Sequence, residues 1–590
     1  MTPLARPVAL AFAAVTLGSV SPAQEPQYSA ELLAYLDPTT RLASLCGGEN
    51  GSGSMRAKLM VAAAVVQSAE KPRISLYDGL GTIRFPITTS NPLAQRYFDQ
   101  GMGFAYGFNH AAAIASFREA QKADPNCAMC HWGEAMAHGP NINAPMDPST
   151  VTRAVALAVY ANWLARKGTP VEQALTAAMM KRYSLAPNAD QAALNIAYAD
   201  AMLAAAAAHP GHDDVALLAA EAAMDTRPWD YWTADKQPQP RLGEAVRLVE
   251  TVYGRNPDHP QAAHLYIHLM ENGPDPKRAE AAADKLASPL APTAGHLVHM
   301  PAHIYYRLGR WKDSMRVNID AARADERWIR ESGDKGMVRY GYYPHNVHFI
   351  VTSAQMAGDM PTAIREARKL SGILDPGISS QIAWIQAVNA APYFAAAQFA
   401  APAQILAMKA PDQRLGYPTA MRHYARAVAH ALQRNRAGFE AEIGSLRRMR
   451  ESHDFKPMID QGVPATDLLL LAESVARARW AFGGGDFGEA ARLYREAAAI
   501  EDKIPYMEPP YWYYPVHQSL GAALLKQGRH REAAEAFTTA LARSPNNGWA
   551  LYGLAAAERM QGRKAEAAAA TAALKRNWLG NPAWLRVDRL

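Results

Sequence analysis

The stretch GAALLKQGRHREAAEAFTTALARSP, residues 521–545, decides the fold. Gly521, Leu524, Ala533, Phe537, Ala540 and Pro545 set out a pattern of small, bulky and proline positions around a turn at Gly528-Arg529. The same template returns at residues 94–125 through Gly101, Phe104, Ala113, Phe117, Ala120 and Pro125, and at 471–502 through Ala478, Ala490, Tyr494 and Ala497. Further turns are marked by Gly309-Arg310, Gly358-Asp359 and Gly485-Asp486. Each unit reads as two antiparallel helices, and neither helix buries its apolar stripe without the next unit. Alanine runs such as 204–208 and 567–570, with few alternating segments, agree with helix throughout.

A period near 34 residues with these fixed offsets resembles the tetratricopeptide-repeat family. The resemblance implies an all-α chain: a right-handed α-α superhelical solenoid of helix pairs. Aligned on the glycine turns, units start near 260, 295, 344, 471 and 514, with a less regular one near 126. The reading divides the chain into an array over 91–375, irregular helical repeats over 376–470, and C-terminal repeats with a cap over 471–590. The proline- and aromatic-rich segments 140–148 and 227–241 are too distinctive to be plain connectors.

Lys and Arg number 61 against 55 Asp and Glu in 590 residues, a net charge of +6 without dense basic clusters, which argues against nucleic acid as a partner. Residues 1–23 read as a signal peptide, with a second candidate at 55–69, and 24–90 as an N-terminal extension. Neither apolar run reaches the roughly 18 to 20 residues of a membrane span. The expected location is periplasmic or secreted, with no transmembrane segment.

Seven of the 18 histidines fall in three bursts: His264 and His268; His296, His299 and His303; His345 and His348. Spacings of three, four and seven residues place each burst on one helical face. In the tetratricopeptide register these are positions that line the concave surface, so the resemblance implies one histidine-lined hollow. A transition metal is the ligand that best accounts for it, copper or zinc first and iron next, because the set is poor in carboxylates. His264, His268, His296, His299 and His303 are the expected metal ligands. Glu271 is a candidate ligand or general base, and His345 and His348 are candidates to complete the shell or carry protons.

Cys127-Ala128-Met129-Cys130-His131 matches the Cys-x-x-Cys-His pattern of covalent haem attachment. A disulfide or structural thiol pair and a soft metal or redox pair outrank haem c, because the repeat register turns His131 away from the two cysteines. Cys46 is left unassigned. The aromatic runs Tyr511-Trp512-Tyr513-Tyr514 and Trp229-Asp230-Tyr231-Trp232 are candidate ligand walls. No phosphate loop, dinucleotide fingerprint, serine elbow or His-Glu-x-x-His is present. The expectation is an exported solenoid with a metal site serving metal-dependent chemistry or metal handling, on a small-molecule or peptide ligand in the concave groove. The alternatives are a metal-free protein-interaction scaffold and a c-type haem protein.

Overall fold

Phe117 and Phe537 show how the repeat is built. Each is a fully buried ring on the second helix of a pair, clasped by glycines sixteen residues before and after it. A Cβ placed on Gly101 or Gly133 would come within 2.5 Å of Phe117, and one on Gly521 or Gly553 within 2.8 or 2.2 Å of Phe537. Only glycine lets three successive helices close on the ring, so the motif that opens the array is rebuilt at its end. Helices Tyr343–Ala357 and Pro301–Leu308 end on Gly358 and Gly309, whose φ of +73° and +68° favours glycine and whose N–H groups cap the last turn.

The computed structural model describes residues 74–590 except Arg84, Pro187 and Pro289. Both signal-peptide readings and Cys46 lie outside the described residues. The described chain is all-α, a right-handed superhelical solenoid of helix pairs, with two isolated β-bridges and no strand among the described residues. No helix among them is long and apolar enough to cross a membrane. Over 376–470 the helices include short ones, Pro376–Gln381, Ala383–Val388 and Pro402–Leu406, beside the long pair Gly416–Leu432 and Arg436–Ser452.

The solenoid coils back on itself. Trp549, at the start of Gly548–Met560, is buried and donates its indole N–H to the Gln355 carbonyl at 2.8 Å. The Leu579 N–H donates to the Ala357 carbonyl at 2.9 Å, and the Trp578 ring fills the space in front of Gly358. At the other end, Thr293 donates to the carbonyls of Asp78 and Gly79. The two proline- and aromatic-rich segments are tied inward: the Trp229 indole donates to the Ile142 carbonyl at 2.8 Å, and the Trp232 indole to the Leu269 carbonyl at 2.8 Å.

This closure covers the concave hollow that the histidines line. All the burst histidines are buried except His345, which is half-buried. Phe108, Trp229, Tyr342 and Glu508 fill the hollow over the rings, because burying those apolar faces is worth more than leaving a wet channel. The run Tyr511 to Tyr514 is likewise buried.

Candidate metal centre

Helix Pro260–Glu271 carries His264, His268 and Glu271 on one face. The next unit supplies His296 and His299 from Gly295–His299 and His303 from Pro301–Leu308, joined through the helical Met300. His345 comes from Tyr343–Ala357. Among the described residues these side chains form two neighbouring imidazole triads, His264–His268–His296 and His299–His303–His345, and His303 also belongs to a third group with Glu271 and Glu508, the ligand atoms of each group lying within 4.8 Å of one another. The rings of His296 and His299 bring the triads to 6.1 Å.

The outward nitrogens are held. His264 Nδ1 donates to Gln261 Oε1 at 2.9 Å, and Gln261 is itself oriented by donating to Glu221 at 3.0 Å. His268 Nδ1 donates to Glu271 Oε1 at 2.7 Å. His299 Nδ1 donates to Asn318 Oδ1 at 2.7 Å, and the Asn318 amide is fixed by donating to the Ser314 carbonyl. His303 Nδ1 lies 2.7 Å from Glu271 Oε2 and donates to Glu508 Oε2 at 3.0 Å. Four rings thus carry their hydrogen on Nδ1 and aim Nε2 inward, the arrangement by which oxygen acceptors orient metal-ligating imidazoles. Inside, His264 Nε2 is 3.1 Å from His296 Nε2, and His299 Nε2 is 2.9 Å from His303 Nε2. Two nitrogens each about 2.0–2.1 Å from one ion lie about 2.9–3.4 Å apart at angles from square to tetrahedral. His268 Nε2 has no hydrogen-bond partner among the described residues.

Burial, reinforced by neighbouring imidazoles, holds His268, His296, His299 and His345 well below the usual histidine range, and holds His264 down to about 3. Neutral imidazole is the form that binds a metal. His303 differs: burial opposes its charge, but Glu271 and Glu508 push it up to about 10. Burial raises Glu271. Its two oxygens face His268 of one triad and His303 of the other, so it links the triads.

His348, read with His345 as one pair, is not in either triad. It lines a small cavity with Thr352 and Trp384, held down to about 3 by burial: a three-residue step leaves it about 60° round the helix from His345, on the side of the 383–394 segment. Cys127 and Cys130 are joined by a disulfide at the start of Ala128–His138, so neither offers a thiol for thioether attachment. They are buried, and do not face a groove. His131 Nε2 donates to the Pro125 carbonyl at 3.0 Å. The nearby Glu134 is held below the usual carboxylate range; burial opposes that, but His138, Arg153 and Arg118 overcome it.

Sequence reading missed Asn318, Glu508, Phe108 and Tyr342. Asn318 sits mid-helix in Trp311–Ser332, where an asparagine in the second helix of the unit that carries the second histidine burst was the available signal. Glu508 lies in the irregular segment after Phe487–Glu501 and has no such signal.

No curated protein matches the chain. Among solved structures, human IFIT1 in a dimer with PPP-AAAA is 11% identical, with 82% of this chain and 91% of that one covered and a TM-score of 0.29. Yeast Tom70 is 12% identical over 82% and 92%, TM-score 0.25, and the P58(IPK) TPR domain 12% identical over 80% and 98%, TM-score 0.20. A tetratricopeptide-repeat model matches residues 519–582, the segment whose helices His530–Arg543 and Gly548–Met560 carry Phe537 and the Gly553 that clasps it.

Proposed function

We propose that this solenoid binds two transition-metal ions, one on His264, His268 and His296 and the other on His299, His303 and His345. The observation that carries the reading is the orientation shared by four of the six rings, His264, His268, His299 and His303: Nδ1 engaged by an oxygen acceptor, Nε2 turned into a buried cluster of imidazoles. An all-imidazole donor set favours copper or zinc, with iron next, over magnesium or calcium. Glu271 fits an orienting role toward His268 and His303 better than that of a free base, since one oxygen accepts from His268 and the other lies 2.7 Å from His303 Nδ1 as an ion-pair partner. The half-buried His345 marks the side of the second triad open to exchange. Export to an oxidising compartment is part of the reading, and the Cys127–Cys130 disulfide supports it.

Metal analysis of protein purified without a histidine tag tests this. Two copper or zinc ions per chain are expected, falling to about one in His268→Ala and in His299→Ala. Metal-free protein that captures a peptide partner would leave the other reading, an interaction scaffold, which the repeat match supports. Fractionation of the host cell tests export.

A further inference from the structure

A cavity of about 180 Å³ lies beside the second triad, between helix Pro301–Leu308 and the segment 504–515. A dry cavity of about 150 Å³ is known to take benzene, so this one accommodates a single ring with a substituent. Tyr506, Trp512 and Tyr514 line it, giving flat faces for such a ring. At one point of the wall Glu508 Oε1 and Arg307 Nε stand 4.0 Å apart, both atoms buried and neither in a well-formed hydrogen bond among the described residues, with the Tyr506 hydroxyl beside Glu508. The Glu508 side chain is 2% exposed, so water does not satisfy it at the surface. Arg307 is held over the Tyr506 ring at 5.4 Å.

One acceptor and one donor at that separation are bridged by a single oxygen that gives a hydrogen to Glu508 and takes one from Arg307, each at about 2.7–2.9 Å. A hydroxyl does both; an ether or a methyl group does not. The Trp512 indole N–H, also buried without an acceptor, adds a second donor to the wall. We infer that the cavity binds a single-ring hydroxyaromatic molecule, a phenol, with its hydroxyl between Glu508 and Arg307. This site stands without the metal reading. Its link to the triad rests on that reading: the other oxygen of Glu508 holds His303 Nδ1.

Calorimetric titration of the whole chain with phenol, anisole and toluene tests the site. Phenol is expected to bind at least tenfold more tightly than the other two. Arg307→Met should weaken phenol at least fivefold, and Ile504→Trp, which fills the cavity without changing its charge, should abolish binding. Comparable affinities for all three compounds, or phenol binding unchanged in either variant, overturn the inference. Metal content of the same samples separates the two claims. Metal-free protein that binds phenol defeats the metal centre alone, whereas metal-loaded protein indifferent to phenol defeats this site alone.

Discussion

His299 and His303 face each other Nε2 to Nε2 at 2.9 Å, although each has already given its Nδ1 hydrogen to an oxygen partner. Two lone pairs at that distance repel unless a positive charge lies between them. In metal-free protein that charge is a proton on His303, which its carboxylate neighbours push up to about 10. On the proposed reading a metal ion takes its place. Metal loading at pH 7 is therefore expected to release a proton from this triad, read as acidification in weakly buffered calorimetry. His303→Gln should abolish both the proton release and the second ion.

Asn318 fixes the tautomer of His299 from the outside. Removing such a partner costs about 10–100-fold in metal affinity. Asn318→Ala should therefore weaken one of two ions by that factor in chelator competition and leave the other unchanged. Loss of both ions to the same degree would place the effect in folding.

Glu271 joins the triads, so Glu271→Gln reaches both. An amide still accepts from one imidazole but cannot serve as an anion to His303. The expected outcome is weaker binding of both ions, on the order of tenfold each, with the larger loss at the His303 triad. Chelator competition resolved into two steps measures it.

These triads were half legible in sequence. The bursts gave the histidines that the two triads bring together, because a helix face is a local property, readable from spacings of three and four. Glu271 was legible for the same reason. Glu508 was not: it reaches His303 across 205 positions from an irregular segment, and no periodicity encodes such a contact. The burial of the site was also invisible. The repeat template fixes how Gly101, Phe117 and Gly133 pack, but not how far the superhelix winds before Trp549 meets Gln355. His348 was misplaced because helical spacing alone does not say which of two neighbours a ring turns toward.

The Cys127–Cys130 disulfide closes a loop of only three positions, worth about 2 kcal/mol in chain entropy. Cys127→Ser with Cys130→Ser is expected to lower unfolding free energy by about that much or less. Metal content should stay unchanged, and neither protein should show a covalent haem band.

Stability should depend on pH through groups outside the triads. Burial pushes Glu501 up to about 7 from 4.5, against Arg543 and the Val516 N–H. Its contribution is complete below about 4.5 and is lost as pH rises through about 7. Glu501→Gln should recover roughly 1–3 kcal/mol at pH 8 and nothing near pH 4.5. His110, held down to about 4 by burial, works in the opposite sense: its contribution is present above 6.5 and is lost as pH falls toward 4. Urea unfolding at pH 5, 6.5 and 8 checks both.

The contact between Trp549 and Gln355 changes what kind of object the solenoid is. An open array frays from its free ends, one repeat at a time. Here the penultimate helix is latched onto the middle of the chain, on the very helix that carries His345. The terminus therefore acts as a clasp on a bracelet, and trimming it would loosen a triad that lies two hundred residues upstream.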